Sequence, residues 1–323
     1  MKSIQKIISN RNIIRYPSWD LVYEWEDVFS RELGADIGYL TYYARIINKI
    51  CPALKNVLLS GRIKFIFHMI PRMGNSIDNS ASVVPLIIDF FIREPRELEQ
   101  FYKAYDRCKV VLISSKEAYD FLKSVNCPLP IRHLALSIPD KYAIDKYALS
   151  NTTYDLILSG RQNDRHRAWL ETYMKNHPDL YYVYRVQDGG VFNYYTNKGE
   201  SLGNLSTRDD FLNLIRKSKI ALYATPGIEG DVKRTNGFHQ VTPRFLENIA
   251  CGCHIIASYE KNSDTEYYEI DKFSPNISSY EEFEEVLNRC RQQPVDIEMY
   301  EVYLAKHYTS QRAKELTSMI SRI

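Results

Sequence analysis

The chain has 323 residues, long enough for two domains of ordinary size, each with its own core. Hydrophobic residues at 45% and charged residues at 25% are globular proportions, and a net charge of +2 gives no case for nucleic acid as the main partner. No apolar run reaches the roughly 18 residues that span a bilayer; the closest, Val83 to Ile92, is broken by Pro85 and Asp89.

The N-terminus lacks the continuous apolar core of a signal peptide. Cys51, Cys108, Cys127, Cys251, Cys253 and Cys290 show no repeated metal-ligand spacing and read as free thiols of a reducing cytosol. The expectation is a soluble cytoplasmic protein. Lys2, Lys6, Arg11 and Arg15 fall in the first fifteen residues with no acid among them. Such a patch suits peripheral contact with an anionic membrane, although a solvated basic terminus reads the same way.

Strand-like and helix-like segments alternate along the chain, the pattern of parallel α/β architecture. Asn12 to Tyr16 reads as the opening strand, with Ile63 to Ile70, Val83 to Ile88, Val110 to Ser114 and Ile131 to Leu136 as later strands. Pro95 to Arg107 carries Leu98, Phe101, Tyr102 and Tyr105 at helical spacing, and Lys116 to Ser124 is a second helix. Trp19 to Asp27 mixes aromatics with Asp20, Glu24, Glu26 and Asp27. It reads as an amphipathic helix with Leu21, Trp25 and Val28 inward, in preference to an acceptor-binding platform.

A polar stretch, Ala148 to Thr153, reads as the hinge between domains 1–150 and 151–323. Strand Tyr154 to Ser159 opens the second half, and Gly160-Arg161 turns into a helix from Asp164 to Asn176. Strand Leu180 to Arg185, a loop holding Asp188-Gly189-Gly190, helix Arg208 to Lys217 and strand Ile220 to Ala224 follow. An irregular loop runs on to Gln240. Helix Ser279 to Gln292 and a terminal helical segment from Met299 to Ile323 complete the chain.

Thr242 to Ser258 is the most informative stretch. Thr242 is placed to cap a helix through its side chain, Pro243 suits the first helical position, Gly252 can end the helix, and His254 to Ala257 is an apolar strand. A helix start of this kind favours a phosphate. Arg244 and Glu247, three apart, share one face. Arginine for phosphate oxygens and glutamate for ribose hydroxyls would suit a nucleoside diphosphate.

The run Leu246-Glu247-Asn248-Ile249-Ala250-Cys251-Gly252-Cys253-His254-Ile255-Ile256-Ala257 resembles the nucleotide-binding helix of retaining GT-B glycosyltransferases, the group 1 or family 4-like kind. The resemblance implies two Rossmann-like parallel-sheet domains facing across a cleft. The first would bind the acceptor and the second the nucleotide-sugar, with the terminal helix packing back on the first. It assigns the ribose to Glu247. A strand–Gly–Arg turn in that family clamps the donor diphosphate together with a lysine; here Gly160-Arg161 matches the turn, while the lysine position falls on His166, between Arg165 and Arg167. The family's acidic sugar contact falls on His239, a departure that leaves Glu229 and Asp231 as acidic candidates in the same loop.

The candidate donor-binding residues are therefore Gly160, Arg161, Arg165, Pro226, Gly227, Thr242, Arg244 and Glu247, with His239 beside the sugar. His68, ending a first-domain strand, is the candidate that would face the transferred sugar. Asp89, ending the next strand, is the candidate base if configuration inverts. Asp209-Asp210 reads as a helix cap, and no Asp-x-Asp pair marks a metal site, so neither metal nor cofactor is expected. The implied activity is transfer of a sugar from a nucleoside diphosphate-sugar to a saccharide or lipid-linked glycan in surface polysaccharide or glycoconjugate synthesis. A sugar-nucleotide 2-epimerase of the same layout and a non-catalytic scaffold are the alternatives.

Overall fold

The computed structural model describes residues 3–15, 17–39, 63–76, 78–144, 152–160, 162–188, 191–228 and 232–322. The chain divides into two compact units, Met1–Asp140 with His307–Ile323, and Lys141–Lys306. The division thus falls before residue 150, and the C-terminal segment counts with the first unit. Residues 148–151 of the expected hinge lie outside the described residues.

The first unit holds β1 (Ile4–Ser9), α1 (Pro17–Leu33), β2 (Asp36–Tyr39), β3 (Ile63–His68), β4 (Val83–Ile87), α2 (Pro95–Tyr105), β5 (Val111–Ile113), α3 (Lys116–Ser124) and β6 (Ile131–His133). Its strands pair in parallel in the order β2-β1-β3-β4-β5-β6. β4 is buried along its whole length, as expected where both faces of a parallel sheet are covered. The opening strand is Ile4–Ser9, not Asn12 to Tyr16. Ile4, Ile7 and Ile8 are buried around Lys6, which disguises the apolar pattern in the sequence. The residues after β1 instead turn, with Ile13 and Ile14 both donating to the Asn10 carbonyl.

α1 is the expected amphipathic helix: Leu21, Val22, Trp25, Val28 and Phe29 are buried, and Trp25 stacks on Phe67. Its exception is Glu26, fully buried although an acid. Glu26 Oε2 accepts from Ser9 Oγ at 2.5 Å and from Arg11 Nη2 at 3.1 Å, while Oε1 is buried without a hydrogen-bond partner. Arg11 also pairs with Asp27 at 2.9 Å, so this member of the basic N-terminal patch is held by acids. Lys2 lies outside the described residues.

The second unit runs β7 (Tyr154–Ile157), α4 (Asp164–Asn176), β8 (Tyr182–Asp188), β9 (Val191–Thr196), β10 (Ser201–Asn204), α5 (Arg208–Arg216), β11 (Ser218–Ala224), α6 (Val232–Thr235), α7 (Pro243–Ala250), β12 (His254–Ser258), α8 (Ser263–Tyr267), α9 (Tyr280–Gln292) and α10 (Ile297–Leu304). The sheet order is β10-β9-β8-β7-β11-β12. β7, β8, β11 and β12 are parallel neighbours, whereas β8, β9 and β10 pair antiparallel. The sequence stretch around Asp188 is therefore a hairpin, with Asp188 opposite Val191, and Gly189 and Gly190 lie outside the described residues. β9 and β10 escape a sequence reading because Asn, Thr, Gly and Tyr replace a clear apolar alternation on this edge.

The terminal segment is two helices, α10 and α11 (Thr309–Ser321). Between them the Ile138 N–H donates to the His307 carbonyl and the Thr309 N–H to the Ile138 carbonyl, which breaks the helix. Ala313, Leu316 and Ile320 of α11 join Trp25, Phe29 and Phe67 in the core of the first unit. No helix among the described residues is long and apolar enough to cross a membrane.

Burial pushes the Glu26 carboxyl from 4.5 up to about 7, against the opposing pull of Ser9 and Arg11. A carboxyl raised on folding contributes stability that is full below 4.5 and lost as pH rises through about 7. The expected outcome is that Glu26→Gln removes a fall in unfolding free energy of about 2–3 kcal/mol between pH 5 and pH 7.5. Urea unfolding at a series of pH values measures it; an unchanged slope in the variant shows that Glu26 does not carry it.

Candidate functional site

In an open parallel sheet the strand ends where the chain reverses its direction of spread form the natural crevice. In the second unit the chain leaves β7 toward β8 and later returns to β11 on β7's other side. The carboxyl ends of β7 and β11, which lead into Ser159-Gly160 and Thr225-Pro226-Gly227, meet that description. α7 packs beside them: buried Ser159 Oγ donates to Asn248 Oδ1 at 3.0 Å and ties the end of β7 to α7.

Gly160 has φ +79°, and a Cβ there would stand 3.0 Å from Arg244 Nε. The turn backbone therefore lies against the Arg244 side chain. Arg244 stacks over the Phe211 ring at 4.1 Å and brings Nη1 to 2.6 Å from Glu247 Oε2, an ionic contact without hydrogen-bond alignment. The other carboxylate oxygen, Oε1, accepts from Arg208 Nη2. Glu247 is only 2% exposed. Burial pushes its carboxyl up, but Arg208 and then Arg244 outweigh burial and hold it below its ordinary value. Glu247 is thus a buried anion between two guanidiniums.

Arg208 opens α5, stands over the Tyr142 ring at 5.4 Å, and has a side chain 11% exposed. Sequence reasoning missed it, because nothing local to Thr207-Arg208-Asp209 signals a partner on α7. Asp210 closes a capping box with Thr207, while Asp209 accepts from Tyr142 Oη at 3.0 Å. Asn248 was passed over too. Together with Thr225 it has a buried polar atom, Nδ2 and Oγ1 respectively, with no hydrogen-bond partner, at the same pair of strand ends.

The other predicted residues are placed unevenly. Thr242 has the extended backbone of a cap but makes no side-chain cap bond; its N–H donates to Tyr223 Oη at 3.0 Å. Gly252 does take the left-handed conformation after α7, with φ +71°. Gly227 has φ +96° and packs against Phe238, Thr235 and His239, and Pro226 beside it is half-buried. The turn after β11 and His239 are therefore brought together.

On α4, His166 is buried and its Nε2 meets Ser258 Oγ at 2.8 Å. Burial, with Arg165 adding, drives its pKa down to about 3, so it is neutral at physiological pH and is no phosphate cation. Arg165 stands over the Trp169 ring at 5.0 Å, and Arg167 is exposed. Arg161, Glu229 and Asp231 lie outside the described residues.

His68 and Asp89 belong to the first unit, at the carboxyl ends of β3 and β4. The N–H of Ile88 bonds the His68 carbonyl and that of Asp89 the Met69 carbonyl. His68 is 1% exposed and both ring nitrogens are engaged, Nδ1 with Tyr105 Oη at 2.7 Å and Nε2 with Asp78 Oδ2 at 3.0 Å. Asp89 is half-buried. Among the described residues no group of three or more His, Cys, Asp or Glu side chains is placed to hold a metal ion.

Residues 161–318 match the family model described as "Glycosyl transferase-like". No curated protein matches the chain by sequence. The chain is similar to the pneumococcal O-GlcNAc transferase GtfA in complex with UDP and GlcNAc, at 10% identity and TM-score 0.51, over 84% of this chain and 59% of that one. It is similar to a putative UDP-N-acetylglucosamine 2-epimerase from Listeria monocytogenes, at 9% identity and TM-score 0.53, over 99% and 96%. A glycosyltransferase from Rickettsia africae is similar at 10% identity and TM-score 0.52, over 99% and 98%. The chain spans 59% of the GtfA chain and 61% of the matching chain of the GtfA/B complex. Residues 161–318 are thus similar to glycosyl transferase-like domains, and the chain has the two-unit, Rossmann-like GT-B fold of these solved structures.

Gly227 gives a direct test of the turn after β11. A Cβ there would stand 2.6 Å from the Phe238 carbonyl oxygen, whereas at Gly160 the neighbour is a movable arginine side chain. Both substitutions to alanine strain the backbone, by about 1–3 kcal/mol. Gly227→Ala is expected to be the more destabilising, read as a lower midpoint in chemical unfolding; equal losses would mean that the Phe238 contact adds nothing.

Proposed function

We propose that this protein is a glycosyltransferase that moves a sugar from a nucleoside diphosphate-sugar of the UDP or GDP type to a saccharide or lipid-linked glycan acceptor. In this reading the reaction retains configuration, needs no metal, and serves surface polysaccharide or glycoconjugate synthesis at the cytoplasmic face of a membrane. The observation that carries it is Glu247, a buried carboxylate beside Arg244 and the Gly160 turn, at the strand ends where a GT-B donor domain binds its nucleotide. The glycosyl transferase-like match over residues 161–318 and the UDP and GlcNAc of the GtfA complex support it.

Glu247 grips the ribose hydroxyls, and the turn at Gly160-Arg161 with Arg244 meets the diphosphate. The bond from the sugar's anomeric carbon to the diphosphate breaks and a bond to the acceptor oxygen forms. The acceptor's proton passes to the leaving diphosphate, whose growing negative charge the arginine stabilises. His239, against the Gly227 turn, is the candidate contact for the transferred sugar. His68 and Asp89 are candidate first-unit contacts, with Asp89 the base if configuration inverts.

The expected result is that Glu247→Ala and Arg161→Ala each lower sugar transfer at least about tenfold with the circular dichroism of the native fold retained. Full activity in both removes the donor site. The similarity to an epimerase over nearly the whole of both chains favours one second reading, a sugar-nucleotide 2-epimerase. Incubation with UDP-N-acetylglucosamine alone separates the two: accumulation of the 2-epimer without an acceptor identifies the epimerase.

A further inference from the structure

The expected partner of the Gly160-Arg161 turn is a cation early in α4, and the described residues there do not supply an obvious one. His166 is buried against Ser258 and neutral, Arg165 lies over Trp169, and Arg167 is exposed. Two guanidiniums, however, meet at the single carboxylate of Glu247, one from α7 and one from α5. From the Gly160 turn the side chains run in unbroken contact: turn backbone, Arg244, Glu247, Arg208.

We propose that Arg208 is a further diphosphate-binding cation of the donor site beside Arg161 and Arg244, taking over the role that position 166 cannot fill. This rests on the donor-site reading above. A ribose held by Glu247 carries its diphosphate on a single 5′ carbon, so a guanidinium already on that carboxylate lies within one sugar of the phosphates. Binding exchanges partners. The ribose hydroxyls take over Glu247 Oε1, and the Arg208 guanidinium turns to phosphate oxygens, for which its planar fork is suited. The Tyr142 ring beneath it keeps the side chain near the site. Before binding, the same pair keeps the buried carboxylate from standing uncompensated.

The test is calorimetric binding of UDP, GDP and ADP, each against its monophosphate, to the whole chain. In Arg208→Gln the affinity for the diphosphate that binds wild type is expected to fall about tenfold to a hundredfold. The monophosphate should weaken less, so the preference for the second phosphate shrinks; Lys175→Gln, which removes an exposed charge from α4, should leave it intact. Because Arg208→Gln leaves Glu247 with one partner, the pair Glu247→Gln and Glu247→Gln/Arg208→Gln is measured as well and removes the buried anion from both. An undiminished preference for diphosphate over monophosphate on loss of Arg208, in either background, overturns the proposal. Should wild type bind none of the three diphosphates, the donor-site reading itself falls, and this inference with it.

Discussion

A carboxylate removed from water must be matched, and Glu247 is the point around which the second unit is arranged. At 2% exposure its charge persists only because Arg208 and Arg244 approach from two different helices. Each guanidinium is fixed in turn by an aromatic ring, Tyr142 under Arg208 and Phe211 under Arg244. A Cβ at Gly160 would stand 3.0 Å from Arg244 Nε, a side chain that can give way, so the turn after β7 calls for glycine chiefly through its positive φ. One ionic cluster thus links α5, α7 and the end of β7.

The first unit places its buried polar groups in the same kind of position. Ser9 ends β1 and meets Glu26, and His68 ends β3 between Tyr105 and Asp78. The sheet order reverses between β1 and β3, so these are again strand ends at the switch point. β4 is apolar and covered on both faces, while Ser9 and His68 stand where the sheet opens. The two ends differ in charge. Glu247 has two cations and is held ionised, whereas Glu26 has one arginine, shared with Asp27, and burial prevails.

Much of the fold was legible because local pattern and burial agree. Lys116–Ser124 and Asp164–Asn176 form helices with the bounds read from the sequence, each with a side-chain cap, Ser115 and Asn163. Legibility failed where pattern and packing part. Lys6 hides the strand that three buried isoleucines make, and the weakly apolar β9 and β10 lie toward a sheet edge where little burial is required. The terminal helix is broken by backbone pairing to Ile138, a partner far away in the chain. Thr242 illustrates the limit of a cap motif. Its backbone has the cap geometry and its N–H donates to Tyr223 Oη, but its side chain makes no cap bond.

From the amino-acid order alone come the alternation of buried strands and amphipathic helices that makes two α/β units, and the placing of Arg244 and Glu247 on one helix face. Those features depend on neighbours a few residues away, at spacings that helix and strand geometry dictate. Tertiary structure alone brought Arg208 to Glu247 across a separation of 39 residues, and it turned His166 from a candidate cation into a buried neutral ring. Charge state and ionic partnership follow from what surrounds a side chain in three dimensions, and packing sets those surroundings.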